Sequence, residues 1–135
     1  MATNPNTVIV RQGVEKAFLA FSARVEGRGF KKTRNALWMR SLENGNDVIH
    51  LHRSGISYGA PRNASVSFRV HFARWPVGAT DGPLNGPSSD AGSERKGSYH
   101  LRFNAKSGST FDRCIDDLVR FVEEVGEPWY ASLGL

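Results

Sequence analysis

The stretch Ala64 to Arg74, ASVSFRVHFAR, alternates strictly between apolar positions (Val66, Phe68, Val70, Phe72) and polar ones (Ser65, Ser67, Arg69, His71). That period of two predicts a half-buried β-strand with one side on a core and the other toward water or a partner. Two further strands are predicted upstream, over Ala36 to Leu42 and Asp47 to Arg53, joined through Glu43-Asn44-Gly45-Asn46. Asn-Gly offers the positive φ angles of a tight hairpin. In the first of these strands Leu37 and Met39 share one side and Trp38 and Arg40 the other, while in the second Ile49 and Leu51 lie opposite His50 and His52. Placing the aliphatic residues on the core leaves Trp38, Arg40, His50 and His52 outward. Tyr99, Leu101 and Phe103 alternate with His100, Arg102 and Asn104, which predicts a fourth strand.

Helical periodicity brackets the strands. Val14, Phe18, Phe21 and Val25 recur at spacings of four, three and four, marking an amphipathic helix over residues 7–26 that Gly27 and Gly29 stop. Gly13 weakens its first turn, since an interior glycine costs about 1 kcal/mol relative to alanine. A second helix opens with Ser109 three residues before Asp112, a capping-box-like start, and carries Phe111, Ile115, Leu118, Val122 and Val125 until Gly126 and Pro128 end it. Gly55 to Asn63 turns the chain into the third strand. Trp75 to Gly97, rich in Gly, Pro, Ser and Asp, is expected to be a long mobile connection or a loop that orders on binding. It lacks the spacing of a phosphate loop.

The order helix, three strands, long loop, strand, helix predicts a single α+β domain over residues 1–135. Its architecture is a two-layer sandwich: a four-stranded antiparallel meander with an N-terminal and a C-terminal helix on one face. A chain of 135 residues is long enough for one core. No apolar run approaches the roughly 20 residues of a membrane-spanning helix, and the N-terminus lacks the pattern of a secretory signal, so no membrane partner and a cytoplasmic location are expected. The single cysteine, Cys114, cannot form an intramolecular disulfide. It sits beside the apolar stripe of the last helix, where core filling is the expected role and a nucleophile the alternative, although no base is evident near it.

Charge changes the picture more than composition does. The net charge of +5 and pI near 9.8 favour an anionic partner, and the charge is unevenly placed. Between Asp47 and Asp81 there is no acidic residue, whereas Arg53, Arg62, Arg69 and Arg74 lie there with His50, His52 and His71. The acids gather in the last quarter, and Glu123, Glu124 and Glu127 oppose the dipole at the end of the last helix. The basic Arg28 to Arg34 segment around Phe30 is the expected compensation.

If the strands form a meander, the outward face collects Trp38, Arg40, His50, His52, Arg69, His71, His100 and Arg102, with Ser67. These are the candidate partner-binding residues. Like charges so placed repel by up to about 1 kcal/mol per pair, which solvent, an acidic partner or an anionic ligand would relieve; arginines on exposed strands also discourage aggregation. Binding of an acidic protein, without catalysis and without a cofactor, is the favoured expectation. Nucleic acid is the alternative anion, although Trp38 is the only aromatic expected on that face and an RNA-recognition surface needs several. A second alternative is an enzyme acting on phosphoesters or through a metal. His50-x-His52 with His71 could supply imidazoles, but the arginines disfavour a cation, Asp47 falls on the other side of the strand, and no carboxylate pair or activated nucleophile accompanies them. No catalytic or metal-binding residue is assigned.

The helix followed by Gly29-Phe30-Lys31-Lys32, the Leu37-Trp38-Met39-Arg40 strand, the Val48 to Ser54 strand and Ser67-Phe68-Arg69-Val70 together resemble the bacterial family catalogued as domain of unknown function 4304, over residues 14–74. The resemblance implies an α+β domain and carries over no catalytic residue. Small domains of this kind can act as partners in toxin and immunity systems, which is an analogy of fold rather than of site.

Overall fold

The computed structural model describes residues 5–54, 64–89 and 99–133. A long helix, α1 (Pro5–Val25), ends in a short 3-10 turn, and Gly29 at φ 92 releases the chain into β1 (Lys31–Arg34). β2 (Leu37–Leu42), β3 (Gly45–Ser54), β4 (Ser65–Trp75) and β5 (Arg102–Asn104) follow, then α2 (Phe111–Phe121), a π turn over Val122–Gly126 and α3 (Glu127–Ser132). The sheet is an antiparallel meander in the order β1-β2-β3-β4-β5. It has five strands rather than four, because Lys31–Arg34 pairs with β2 as an exposed basic edge. Lysines and arginines there discourage another chain from adding to the sheet.

Both helical segments pack on one face. Val10, Phe18, Phe21 and Val25 of α1 meet Trp38, Ile49, Leu51, Phe68, Val70 and Phe72 from the sheet and Cys114, Leu118, Phe121 and Val122 from the C-terminal helices in one buried cluster. Burying each such side chain contributes about 1.5–3 kcal/mol. Gly13 belongs in α1 for a packing reason: a Cβ there would stand 2.6 Å from the Ala105 Cβ. Gly126 and Pro128 do not end the last helix. The helix widens into the π turn, Gly126 lies against the Phe72 ring (2.7 Å to a built Cβ), and Pro128 is accepted in the first turn of α3. Ser109 is not the cap of α2 either, since Thr110 holds that position at φ 63 and its hydroxyl donates to the carbonyls of Arg102 and Ser109.

The register corrects the reading of β2. Trp38 pairs with Ile49 and Arg40 with Asp47, so Trp38 and Arg40 face the helices while Leu37 and Met39 face the other way. Trp38 is fully buried, set edge-on to Phe18 and Phe21, and its indole N–H donates to the Ser22 hydroxyl (2.8 Å). Leu37 and Met39 join Val48, Ala73 and Trp75 in a second, smaller core beneath residues 76–84. The bend of the β2–β3 hairpin is Glu43-Asn44, and Gly45 follows it where a Cβ would stand 2.8 Å from the Trp75 carbonyl oxygen.

The connection after Trp75 is ordered through Ser89. The Trp75 indole donates to the Pro83 carbonyl (2.8 Å) with Gly82 against its ring, and Asn46 donates to the Ala79 carbonyl (2.8 Å). The chain then returns along β4: Phe72 N–H donates to Pro87 and its carbonyl accepts from Gly86, Val70 exchanges bonds with Ser89, and Arg74 does so with the Asn85 amide. Together with β5 this satisfies the second edge of β4, as buried backbone groups require. The expected turn over Gly55 to Asn63 and residues 90–97 of the expected loop lie outside the described residues. The strand expected from Tyr99 is shorter, with only Arg102–Asn104 in the sheet.

Candidate functional site

Two polar constellations flank the sheet, one on each side. On the helix side, Asp47 is fully buried and its two oxygens are divided between neighbours: Oδ2 accepts from Arg40 (2.8 and 3.0 Å) and Oδ1 from Arg74 (2.5 Å). Arg40 also binds Glu127 (2.6 Å) and stacks over the Phe30 and Tyr130 rings. Burial works against the Arg40 charge, but hydrogen bonds to Glu127 and Asp47 outweigh it and hold its pKa above the ordinary arginine value. Burial likewise opposes the Glu127 carboxylate, and the guanidiniums of Arg40 and then Arg28 more than offset it, so Glu127 titrates below the usual carboxylate range. Arg28 also reaches Glu123 (3.1 Å), so a basic residue just before β1 does compensate acids at the C-terminal end. Tyr130 closes the cluster by donating its hydroxyl to the Val48 carbonyl, and burial drives its pKa well up. This constellation is internally neutralised and holds α3 to the sheet.

The far side carries the candidate residues that the register does bring together. His50 pairs with His71 and His52 with Arg69 across β3 and β4, and the His50 and His52 rings are stacked at 5.8 Å. His52 is exposed; His50, Arg69 and His71 are half-buried. Ser67 pairs with the exposed Arg102 of β5, next to His52 and Arg69 along the strands. His71 Nε2 lies 3.0 Å from the Gly86 carbonyl, so the returning loop orients this ring. Burial, followed by the positive fields of His52, His71, Arg69 and Arg34, lowers the His50 pKa. Every neighbour named in that shift is cationic or can become so. No described strand position on this side holds an aspartate or glutamate.

Two of the eight candidates, Trp38 and Arg40, stand elsewhere, under the helices, and a third lies just outside the sheet. His100 precedes β5, its backbone N–H donating to the Asp117 carboxylate (2.7 Å), and it borders a recess of about 320 Å³ with Ser67, Tyr99 and Arg102. Its ring Nε2 is buried without a hydrogen-bond partner among the described residues. Cys114 is fully buried, and its thiol is pushed up to about 12 by burial and then by the Asp117 charge, which leaves it inert as a nucleophile. Among the described residues no three His, Cys, Asp or Glu side chains are grouped so that they could hold a metal ion, and no helix is long and apolar enough to cross a membrane.

Sequence reasoning missed the Asp47 cluster and the apolar patch under residues 76–84. Hairpin parity carries the signal for both, since a turn of two or four residues sets Trp38 on the same side as Ile49 or Leu51. Comparison with known proteins adds nothing to this geometry: no family model matches the chain, and neither a curated protein nor a solved structure is significantly similar.

Proposed function

We propose that this protein is a non-enzymatic binding domain that engages an acidic protein through the far face of its sheet, centred on His50, His52, Arg69, His71 and Arg102. The observation that supports this most directly is the cross-strand register, which sets imidazoles and guanidiniums side by side on a face whose described strand positions offer no carboxylate. A negative partner is attracted to a surface that gathers basic groups in this way. An immunity-like role, in which binding masks an acidic protein, is one function such a face could serve. Base stacking has less support than the sequence offered, because Trp38 lies under the helices and Trp75, the tryptophan on the far side, is buried with its N–H occupied.

The test is affinity capture from cells of the source organism with the wild type and with an Arg102→Glu/His52→Glu variant, both verified as folded, alongside gel shifts with DNA and RNA at low salt. An acidic protein retained by the wild type and lost with the variant is the expected result. Equal retention by both proteins overturns the reading, and a nucleic-acid shift abolished by the variant replaces the protein partner with nucleic acid.

A further inference from the structure

A groove of about 650 Å³ opens where the sheet runs out of strands. β2 begins opposite His50, and the Leu51 N–H still reaches the Ala36 carbonyl (2.9 Å). Ala36 then turns the chain toward β1 at φ 62, so β3 runs on to Ser54 past the end of its neighbour. The first half of α1 forms the other wall. Val14 and Phe18 from the helix and Leu51 from the strand give the groove apolar lining, with Arg11 contributed by α1, Arg53 by β3, and His52 beside them.

Charge and exposure at the groove bear on what it could hold. Arg24, Arg28, Arg34, Arg40, Arg74 and Arg120 each have a carboxylate partner. Arg11 and Arg53 have none among the described residues, although Glu15 lines the same groove one turn from Arg11. Two guanidiniums against one carboxylate leave the site positive. His50 borders the groove at the strand edge, and its Nδ1 is out of water with no hydrogen-bond partner among the described residues.

We propose that this groove binds a small organic carboxylate with an apolar body. Arg11 and Arg53 hold the carboxylate, for which the guanidinium fork is matched, and the hydrocarbon lies on Val14, Phe18 and Leu51. The volume falls within the roughly 300–1,000 Å³ of small-molecule sites. The apolar lining is what selects an organic anion over an inorganic one, since bare phosphate would leave that surface wet. The residues assigned to the ligand, Arg11, Val14 and Phe18 of α1 with Leu51 and Arg53 on the core side of β3, are not those of the far-face reading, so this site stands without it.

The test titrates the full chain with decanoate, decanol and inorganic phosphate while following backbone amide resonances. Saturable shifts around Val14, Leu51 and Arg53 are expected with decanoate, with decanol and phosphate each at least tenfold weaker. Arg11→Glu and Arg53→Glu should each weaken decanoate binding by about tenfold, the loss of one charge-assisted contact, whereas Arg102→Glu should leave it unchanged. Val14→Trp should abolish it by filling the groove; if that variant fails to fold, the two arginine variants decide. Absence of saturation overturns the proposal. So does equal binding of decanol, which reduces the groove to an apolar hollow, or equal binding of phosphate, which reduces it to a charged patch.

Discussion

The two sides of one sheet handle positive charge in opposite ways. Beneath the helices, Arg40 and Arg74 share the buried Asp47 carboxylate, and Arg40 and Arg28 share Glu127, so the guanidiniums are tied to acids and to aromatic rings. On the far side, His50, His52, His71 and Arg69 are paired across strands with one another. The difference lies in what the carboxylates do: near Asp47 and Glu127 they are consumed in fastening α3 and the Arg28 turn, whereas the described strand positions of the far side bring imidazoles and guanidiniums together without one. One side uses charge for assembly. The other sets positive groups beside one another.

The strongest way to break this contrast is to remove the shared carboxylate. Asp47→Asn leaves the half-buried Arg74 without a carboxylate and Arg40 with Glu127 alone, and removing one partner of a buried ion pair costs up to about 3–5 kcal/mol. Urea unfolding followed by circular dichroism should show a loss of that size. A loss below about 1 kcal/mol, the value of a surface pair, would mean that the helix-side charges are solvated and the two sides do not differ as described.

A smaller effect separates tight packing from open surface on the same side. Gly126→Ala drives a methyl into the Phe72 ring, at 2.7 Å from a built Cβ, and overpacking of this kind costs about 1–3 kcal/mol. Gly27→Ala meets nothing within 4 Å and should change stability by less than about 0.5 kcal/mol. Thermal melts of the two variants check the pair. Equal destabilisation would show that α3 is not held closely to β4.

Acid sharpens the comparison because the two sides respond in different windows. Glu127 has its folded pKa depressed by Arg40 and Arg28, so its stabilisation is complete above the unfolded carboxylate value of about 4.3 and is lost as pH falls through the lower folded value. His50 also has a depressed pKa, caused first by burial and then by cationic neighbours. The unfolded chain therefore takes up this proton first, and stability declines as pH falls below about 6.5. Stability measured against pH should fall in both windows. Glu127→Gln should flatten the lower one and His50→Gln the upper, each leaving the other in place.

Much of the architecture is legible in the chain. The Val66 to Phe72 alternation and the Ile115, Leu118, Val122 stripe are one-sided patterns, and each lands on the core side that its period requires. β2 fails because it is apolar on both sides: Leu37 and Met39 look like core residues, and they are, but they belong to the second cluster under residues 76–84. Periodicity cannot rank two apolar faces, and tryptophan beside arginine reads as an outward pair until Asp47 supplies the buried partner. That His50, His52 and His71 share one face follows from parity; which of them pair is set by the register of β3 on β4. His100 lies just before β5, its backbone N–H held by Asp117 of α2, a contact 17 residues away that no strand pattern encodes.

The smallest expected change in stability tests the far side directly. Arg102 and His52 are exposed, with neither fixed to a carboxylate among the described residues, so Arg102→Ala and His52→Ala should each shift unfolding free energy by less than about 0.5 kcal/mol. Against an acidic partner the same changes should slow association and weaken its dependence on salt, because exposed charges act mainly by steering the encounter. Stopped-flow association rates between about 50 and 200 mM salt would measure this, a range over which the screening length shortens from roughly 14 to 7 Å. Variants that unfold readily would place these residues among the structural ones, and the division of labour between the two sides would be lost. Variants that fold normally and associate as fast as the wild type at every salt concentration would leave the exposed charges without a part in recognition, and binding would then have to be sought in the half-buried His50, Arg69 and His71.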